Sequence, residues 1–227
     1  QGDRMRRPAR VPAALALAVS MLTPIGLTAP AQATSSLFFI NVGPNPDGVA
    51  VSPDGSRVYV VNTGSNSVSV ISTATWGVVS TMSVGTGPTG IAVSPDGTRL
   101  VVSNTQAGTV SIVNSATGAV LHTSSTSTGG CTSPTHLAFH PAGATVYIAC
   151  GSSMRIGSVA VSSGTYTTLS TGSHDINDVA ASASANEVIG VGGFHALFVN
   201  RPWAPGVNPD PLAVATNADA SRTYTPH

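Results

Sequence analysis

The sequence predicts an all-β fold, a β-propeller whose four-stranded blades recur about every 42 residues. Three observations carry that prediction. The phrase GVAVSPDGSRVYVVN opens at Gly48 and returns as GIAVSPDGTRLVVSN at Gly90, then more loosely as HLAFHPAGATVYIAC at His136 and DVAASASANEVIGVG at Asp178, at spacings of 42, 46 and 42 residues. Each copy holds two short β-branched runs around a turn, followed by a third and a fourth run, SVSVI and GVVSTMSV in the first copy. Charged residues make up only 8% of the chain, against about a quarter in an ordinary soluble domain, and Ser, Thr, Gly and Pro take their place.

The elements follow in chain order. All nine basic residues are arginine, and Arg4, Arg6, Arg7 and Arg10 precede the apolar stretch VPAALALAVSMLTPIGL and the small-residue site AQA at 31–33. A basic region, a short apolar region and a small-residue site spell a secretory signal peptide over residues 1–33, cleaved after Ala33. The competing reading, a retained membrane anchor, fits poorly with Pro12, Pro24 and the short apolar length. Arg6 and Arg7 lack the rest of a twin-arginine signal, and Met5 is the expected initiator. Residues 34–227 are then the propeller, secreted or held in the cell envelope, with no membrane span after cleavage. They carry five arginines (57, 99, 155, 201, 222) and eight acids, so no basic stripe remains to neutralise phosphates and nucleic acid is a poor partner.

Blades are expected to start near 48, 90, 136 and 178, with a partial blade from about 212, where LAVATNADASRTYTPH reads as two strands. Ahead of the first blade, VGPNPDG at 42–48 aligns with VGTGPTG at 84–90, so residues 37–42 are expected to form an outermost strand able to close the ring. Residues 37–42 lack the rest of their blade and the last blade is partial, so the prediction is an incomplete, truncated ring; a closed five-blade ring is the alternative. Within a blade, Val58, Val60, Val68 and Val70 sit on pleats that the next blade must cover. In SPDG, proline presets the second position of a tight turn, aspartate favours the third and glycine the fourth, so Asp54 and Asp96 are expected to bend the chain. The third copy, HPAG, drops the acid and places His140 in the same turn.

Over residues 59–97, YVVNTGSNSVSVISTATWGVVSTMSVGTGPTGIAVSPDG resembles the repeat of the YVTN family of β-propeller proteins. The second repeat keeps VSNTQAGTVSIVNSATGAV, while the third and fourth keep only the strand rhythm, and WD dipeptides are absent. The resemblance implies an exported propeller, commonly seven-bladed, among proteins described as surface-layer or lactonase-like, with no shared catalytic set. It also implies that ligands bind on the face carrying the loops that lead into the innermost strands.

On that face fall Asp47, His136, Asn177 and Asp178, a set of polar side chains able to orient a small polar ligand or a cation. The plainer alternative is that they are solvated loop residues. His136 with His174, Asp175 and Asp178 has metal-capable chemistry but no ligand spacing, so no metal site and no cofactor is predicted. No G-x-S-x-G elbow and no nucleophile–base pair stands out, so no catalytic residue is assigned. Cys131 precedes the third innermost strand and Cys150 ends the strand after it; in an exported protein this placement points to a disulfide, with two buried thiols as the alternative. Trp76 takes a small turn residue's place, and Trp203 lies in the proline-rich RPWAPGVNPDP.

Two functions follow from these features. One is an exported binding or cell-surface scaffold for an unknown small polar ligand or a cell-envelope or protein partner. The other is a lactonase-like or lyase-like enzyme working at the channel mouth. Export has a direct check: the mass of the secreted protein is expected to start at Thr34, and recovery of residues 5–33 still attached would refute the signal peptide.

Overall fold

Runs of valine, isoleucine, threonine and serine between glycine-bearing turns favour antiparallel ladders, because β-branched side chains pack well on a pleated surface. The structure, a computed structural model, describes residues 39–171, 176–182, 187–192, 195–199, 215–216 and 223–224. The first sheet takes β1 (Pro46–Val51), β2 (Arg57–Asn62), β3 (Ser67–Ser72) and β4 (Gly77–Ser83) in that order. The second takes β5 (Pro88–Val93), β6 (Arg99–Asn104), β7 (Thr109–Asn114) and β8 (Val120–Ser125). The third takes β9 (Leu137–Phe139), β10 (Thr145–Cys150), β11 (Arg155–Ala160) and β12 (Tyr166–Thr171). Then come β13 (Asp178–Ser182), β14 (Glu187–Gly192) and β15 (His195–Val199), and last the paired β16 (Ala215–Thr216) and β17 (Thr223–Tyr224).

Every pairing within these sheets is antiparallel. The innermost strands lie beside one another in chain order: β1 contacts β5, β5 contacts β9, β9 contacts β13 and β13 contacts β16. Consecutive four-stranded sheets joined this way along their innermost strands are the blades of a β-propeller, and the described blades form an incomplete ring.

The core lies between blades, and the strand period of two decides which residue faces which neighbour. Tyr59, Val61, Val68, Val70 and Met82 of the first sheet meet Leu100, Val102 and Val113 of the second. The intervening Val101, together with Val110 and Ile112, turns the other way to meet Val146, Ile148 and Val159. The third sheet alternates likewise, sending Tyr147, Ala149 and Ile156 against Ile176, Val179, Ala181 and Val188. Small buried serines such as Ser69, Ser103 and Ser111 let the faces approach closely. The first sheet's other face is partly open: Val49 and Val51 are 62% and 56% exposed, whereas their repeat equivalents Ile91 and Val93 are half-buried against the first sheet.

The SPDG turns show what their aspartates do. The Ser52 hydroxyl donates to Asp54 Oδ1 at 2.6 Å, the Ser56 amide to the same oxygen at 3.0 Å, and the Ser56 hydroxyl to Oδ2 at 2.8 Å. Ser52 Oγ in turn accepts the Arg57 amide at 2.9 Å, and Gly55, at φ 70°, takes the left-handed position. Ser94, Asp96, Gly97, Thr98 and Arg99 repeat this arrangement. In the third copy His140 stands at the serine position and its Nδ1 accepts the Ala142 amide at 3.1 Å, so this turn closes without a carboxylate.

One expectation is corrected. Residues 39–42 form no strand, and Phe39 is 98% exposed. Their repeat equivalents at the end of β4 are held by a ladder to β3, Ser67 opposite Ser83 and Val68 opposite Met82. Among the described residues, 39–42 has no such neighbour to pair with. Residues 1–33, with the signal-peptide reading, lie outside the described residues.

Two measurements test this packing and turn chemistry. Leu100→Ala, in a fully buried site between blades, is expected to cost about 2–5 kcal/mol in urea unfolding, and Val49→Ala to stay within about 0.5 kcal/mol. Equal losses would mean the open face is covered in solution. Hydrogen bonds, first from the Ser52 hydroxyl and then from Ser56, hold the Asp54 carboxyl down to about 2, and those from Ser94 and Thr98 lower Asp96. Because the folded values lie below the unfolded ones, this stabilisation is complete above the usual aspartate range near ~4 and is lost as pH falls through the folded values. The melting temperature is therefore expected to drop between about pH 4 and pH 2, with a shallower drop in Asp54→Ala.

Candidate functional site

At the start of each innermost strand, two residues oppose one residue of the neighbouring strand. In the first sheet Pro46 pairs with Asn62 and Val49 with Val60, which leaves Asp47 and Gly48 opposite Val61. In the second, the register shifts between Pro88 and Gly90, and Thr89 is the extra residue. In the third, the Thr135 amide donates to the Ala149 carbonyl at 2.9 Å, and the Ala149 amide donates to the His136 carbonyl at 2.9 Å. In the fourth, the Asn177 amide donates to the Val191 carbonyl at 2.7 Å while Asp178 pairs with the same Val191. A β-bulge re-aims the side chains of its strand, and here it recurs in four blades at the same end of the innermost strand.

The four sequence-predicted residues all sit on these bulges. Asp47, His136 and Asn177 are exposed and Asp178 is half-buried, its Oδ1 accepting the Val179 amide at 2.8 Å. The bulge position also varies in bulk. A Cβ on Gly48 would lie 2.3 Å from the Thr89 carbonyl oxygen and one on Gly90 2.1 Å from that of Thr135, so the first two blades need glycine there. The third and fourth blades carry His136 and Asp178 instead, and β9 is three residues long where β1 and β5 have six.

The segments leading into these bulges are tied to the preceding blade. Thr63 Oγ1 donates to the Pro88 carbonyl at 2.6 Å and Thr105 Oγ1 to the Pro134 carbonyl at 2.6 Å. Beside them, Asn62 and Asn104 end β2 and β6 fully buried. Asn62 Nδ2 donates to the Ser67 and Ser69 hydroxyls at 3.2 and 2.9 Å, and Asn104 Nδ2 to those of Thr109 and Ser111 at 3.1 and 2.9 Å. Both Oδ1 atoms have no partner among the described residues. Sequence reasoning missed these asparagines, although each closes its second strand, in YVVN and VVSN. Cys131 and Cys150, fully buried, are joined by a disulfide with Cα atoms 5.3 Å apart.

His174, Asp175 and Trp203 lie outside the described residues, and within the described ones no group of three or more His, Cys, Asp or Glu gathers to hold a metal. Trp76, 53% exposed, adopts φ 51° at a turn position where the next two sheets place Gly118 and Gly164. At the opposite end of the strands, a groove of about 550 Å³ runs between the first two blades past Asp54, Arg57, Asp96 and Arg99. Its carboxylates are already engaged by Ser and Thr. Arg57 donates to the Ser115 carbonyl at 3.2 Å and Arg99 to that of Thr98 at 3.0 Å, so the groove reads as a seam between blades.

Residues 43–131 match the family described as Lactonase, 7-bladed beta-propeller. No curated protein matches the chain. Among solved structures it is similar to the hydrazine synthase of Kuenenia stuttgartiensis, at 23% identity and a TM-score of 0.62, over 72% of this chain and 47% of that one. It is also similar to the β-propeller domain of Cps50 (Swd1) from Myceliophteria thermophila, at 10% identity and a TM-score of 0.70, over 82% of this chain and 62% of that one. The chain thus spans less than two thirds of either structure. Bulged blades, the family match over 43–131 and both structural likenesses agree on one conclusion: this is a β-propeller repeat protein with a lactonase-like stretch.

Proposed function

We propose that this protein is an exported propeller of the YVTN type that binds a small polar ligand at the bulged end of its innermost strands, as a binding or cell-surface module. The recurring bulge supports the reading. The backbone there is alike from blade to blade, while the first bulge residue is Asp47, Thr89, Thr135 and Asn177 in turn and the second Gly48, Gly90, His136 and Asp178. A constant frame presenting varied polar groups recognises a ligand by hydrogen bonding without needing a nucleophile. Location outside the cytoplasm belongs to the same proposal and rests on the arginine-led apolar stretch of residues 1–33.

A second reading, a lactonase-like hydrolase, is favoured by the family match over residues 43–131. In that reading His136 serves water attack on a lactone carbonyl as general base, with Asp178 at the equivalent bulge position of the adjacent blade. One set of measurements separates the two. Hydrolysis of δ-valerolactone followed in a pH-stat is expected not to exceed the blank, while calorimetric titration with small polyols and sugar acids is expected to find a binder. Combined His136→Ala and Asp178→Ala is expected to weaken that binding about tenfold or more with the thermal melt retained. Lactone turnover abolished by the same double variant would establish the enzyme instead, and unchanged binding would move the site away from the bulges.

A further inference from the structure

Aligning the blades on Pro46, Pro88 and Pro134 places Gly43, Gly85 and Cys131 at one repeat position, three residues before each proline. The ends of β2, β6 and β10 place Asn62, Asn104 and Cys150 at another. These two positions touch in every case. A Cβ on Gly43 would lie 2.6 Å from Asn62 Cγ and one on Gly85 2.5 Å from Asn104 Cγ, so glycine is what lets each buried asparagine seat against the incoming loop. In the third blade the same two positions are the disulfide. Each of the first three blades thus clamps the loop that leads into its bulge onto the end of its second strand, twice by a glycine–asparagine contact and once by a covalent bond.

The third clamp has more to hold. Between β4 and Pro88 the chain spends four residues, and between β8 and Pro134 it spends eight, including a turn of 3-10 helix at Ser127–Gly129. A longer loop costs more entropy to fix. Its other ties are hydrogen bonds: buried Thr126 Oγ1 lies 2.9 Å from the Gly108 carbonyl and 2.7 Å from that of Cys131, and nearer the surface Thr168 Oγ1 donates to the Gly129 carbonyl at 2.9 Å and the Thr132 amide to Ser153 Oγ at 3.1 Å. Both cysteines are fully buried, so a reductant reaches the sulfurs only when the loop opens.

We propose that Cys131–Cys150 is the covalent, reductant-sensitive form of the clamp that Gly43–Asn62 and Gly85–Asn104 make without a bond, and that opening it releases residues 126–136, His136 included, while the first two blades stay closed. The step balances with a dithiol as the reductant. One thiolate attacks a cystine sulfur, the protein S–S bond breaks, and a mixed disulfide forms. The second thiolate displaces the protein sulfur, leaving the reductant as a cyclic disulfide and two protonated cysteines that carry its two electrons.

Hydrogen exchange on the full chain, with and without dithiothreitol and with two thiols confirmed by alkylation mass, tests this. Exchange in 126–136 is expected to accelerate about tenfold or more on reduction, with 43–48 and 85–90 unchanged. Acceleration across all three blades, or in none, overturns the proposal. A pair of variants keeps the test independent of reduction. Cys131→Gly with Cys150→Asn rebuilds the noncovalent clamp and is expected to protect 126–136 better than Cys131→Ala with Cys150→Ala, and to ignore the dithiol. Equal protection in the two double variants would show that the positions are not interchangeable.

Discussion

A four-stranded blade carries apolar side chains on both faces, so it is stable only between neighbours, and this face-to-face burial is the constraint under which the rest of the molecule operates. Burial contributes about 25 cal/mol per Å² of apolar surface, and Leu100, Val101 and Val102 divide it between two different neighbours within three consecutive residues. A strand of alternating polarity would serve one neighbour only. The low charge and the abundance of serine follow from the same demand, since a long charged side chain has nowhere to go between faces at this separation.

Stacking fixes the blades but leaves the ends of the strands to other devices. At one end the aspartate turns are closed by their own hydroxyls and amides and spend their charge on the backbone. At the other, a bulge interrupts each innermost strand, hydroxyls of Thr63 and Thr105 hold the next blade's proline carbonyl, and a clamp pins the loop before it. The same frame therefore carries side chains that vary along the ring, from Asp47 and Thr89 to His136, Asn177 and Asp178. That combination, rigid backbone and interchangeable polar groups, is what a recognition surface requires.

The blades are not equal in how tightly this frame is held. Glycine at 48 and 90 admits a close approach of neighbouring innermost strands, and His136 and Asp178 at the equivalent positions bring side chains where the first two blades have none. The third blade pairs a longer lead-in loop with a covalent tie, and the two features offset each other: a loop closed over a sequence separation of 19 gains about 3 kcal/mol from the cross-link in the chain-entropy account.

Repeat period, four runs per repeat and the SPDG turns were legible in the sequence because they are local: each follows from residue types within a few positions of one another. The same holds for Asp54 and Asp96 as turn residues, whose acceptors and donors all lie within the turn. The placement of Asp47, His136, Asn177 and Asp178 at strand starts was also readable, yet the bulge that aims them was not, since a bulge is a mismatch between two strands and has no signature in one. Residues 39–42 make the same point from the other side. Their pattern copies the end of β4, but a strand exists only where a partner is hydrogen-bonded to it. That Gly43, Gly85 and Cys131 lie against Asn62, Asn104 and Cys150 likewise emerged only in three dimensions, because glycine, asparagine and cysteine have nothing chemical in common beyond the space they must share.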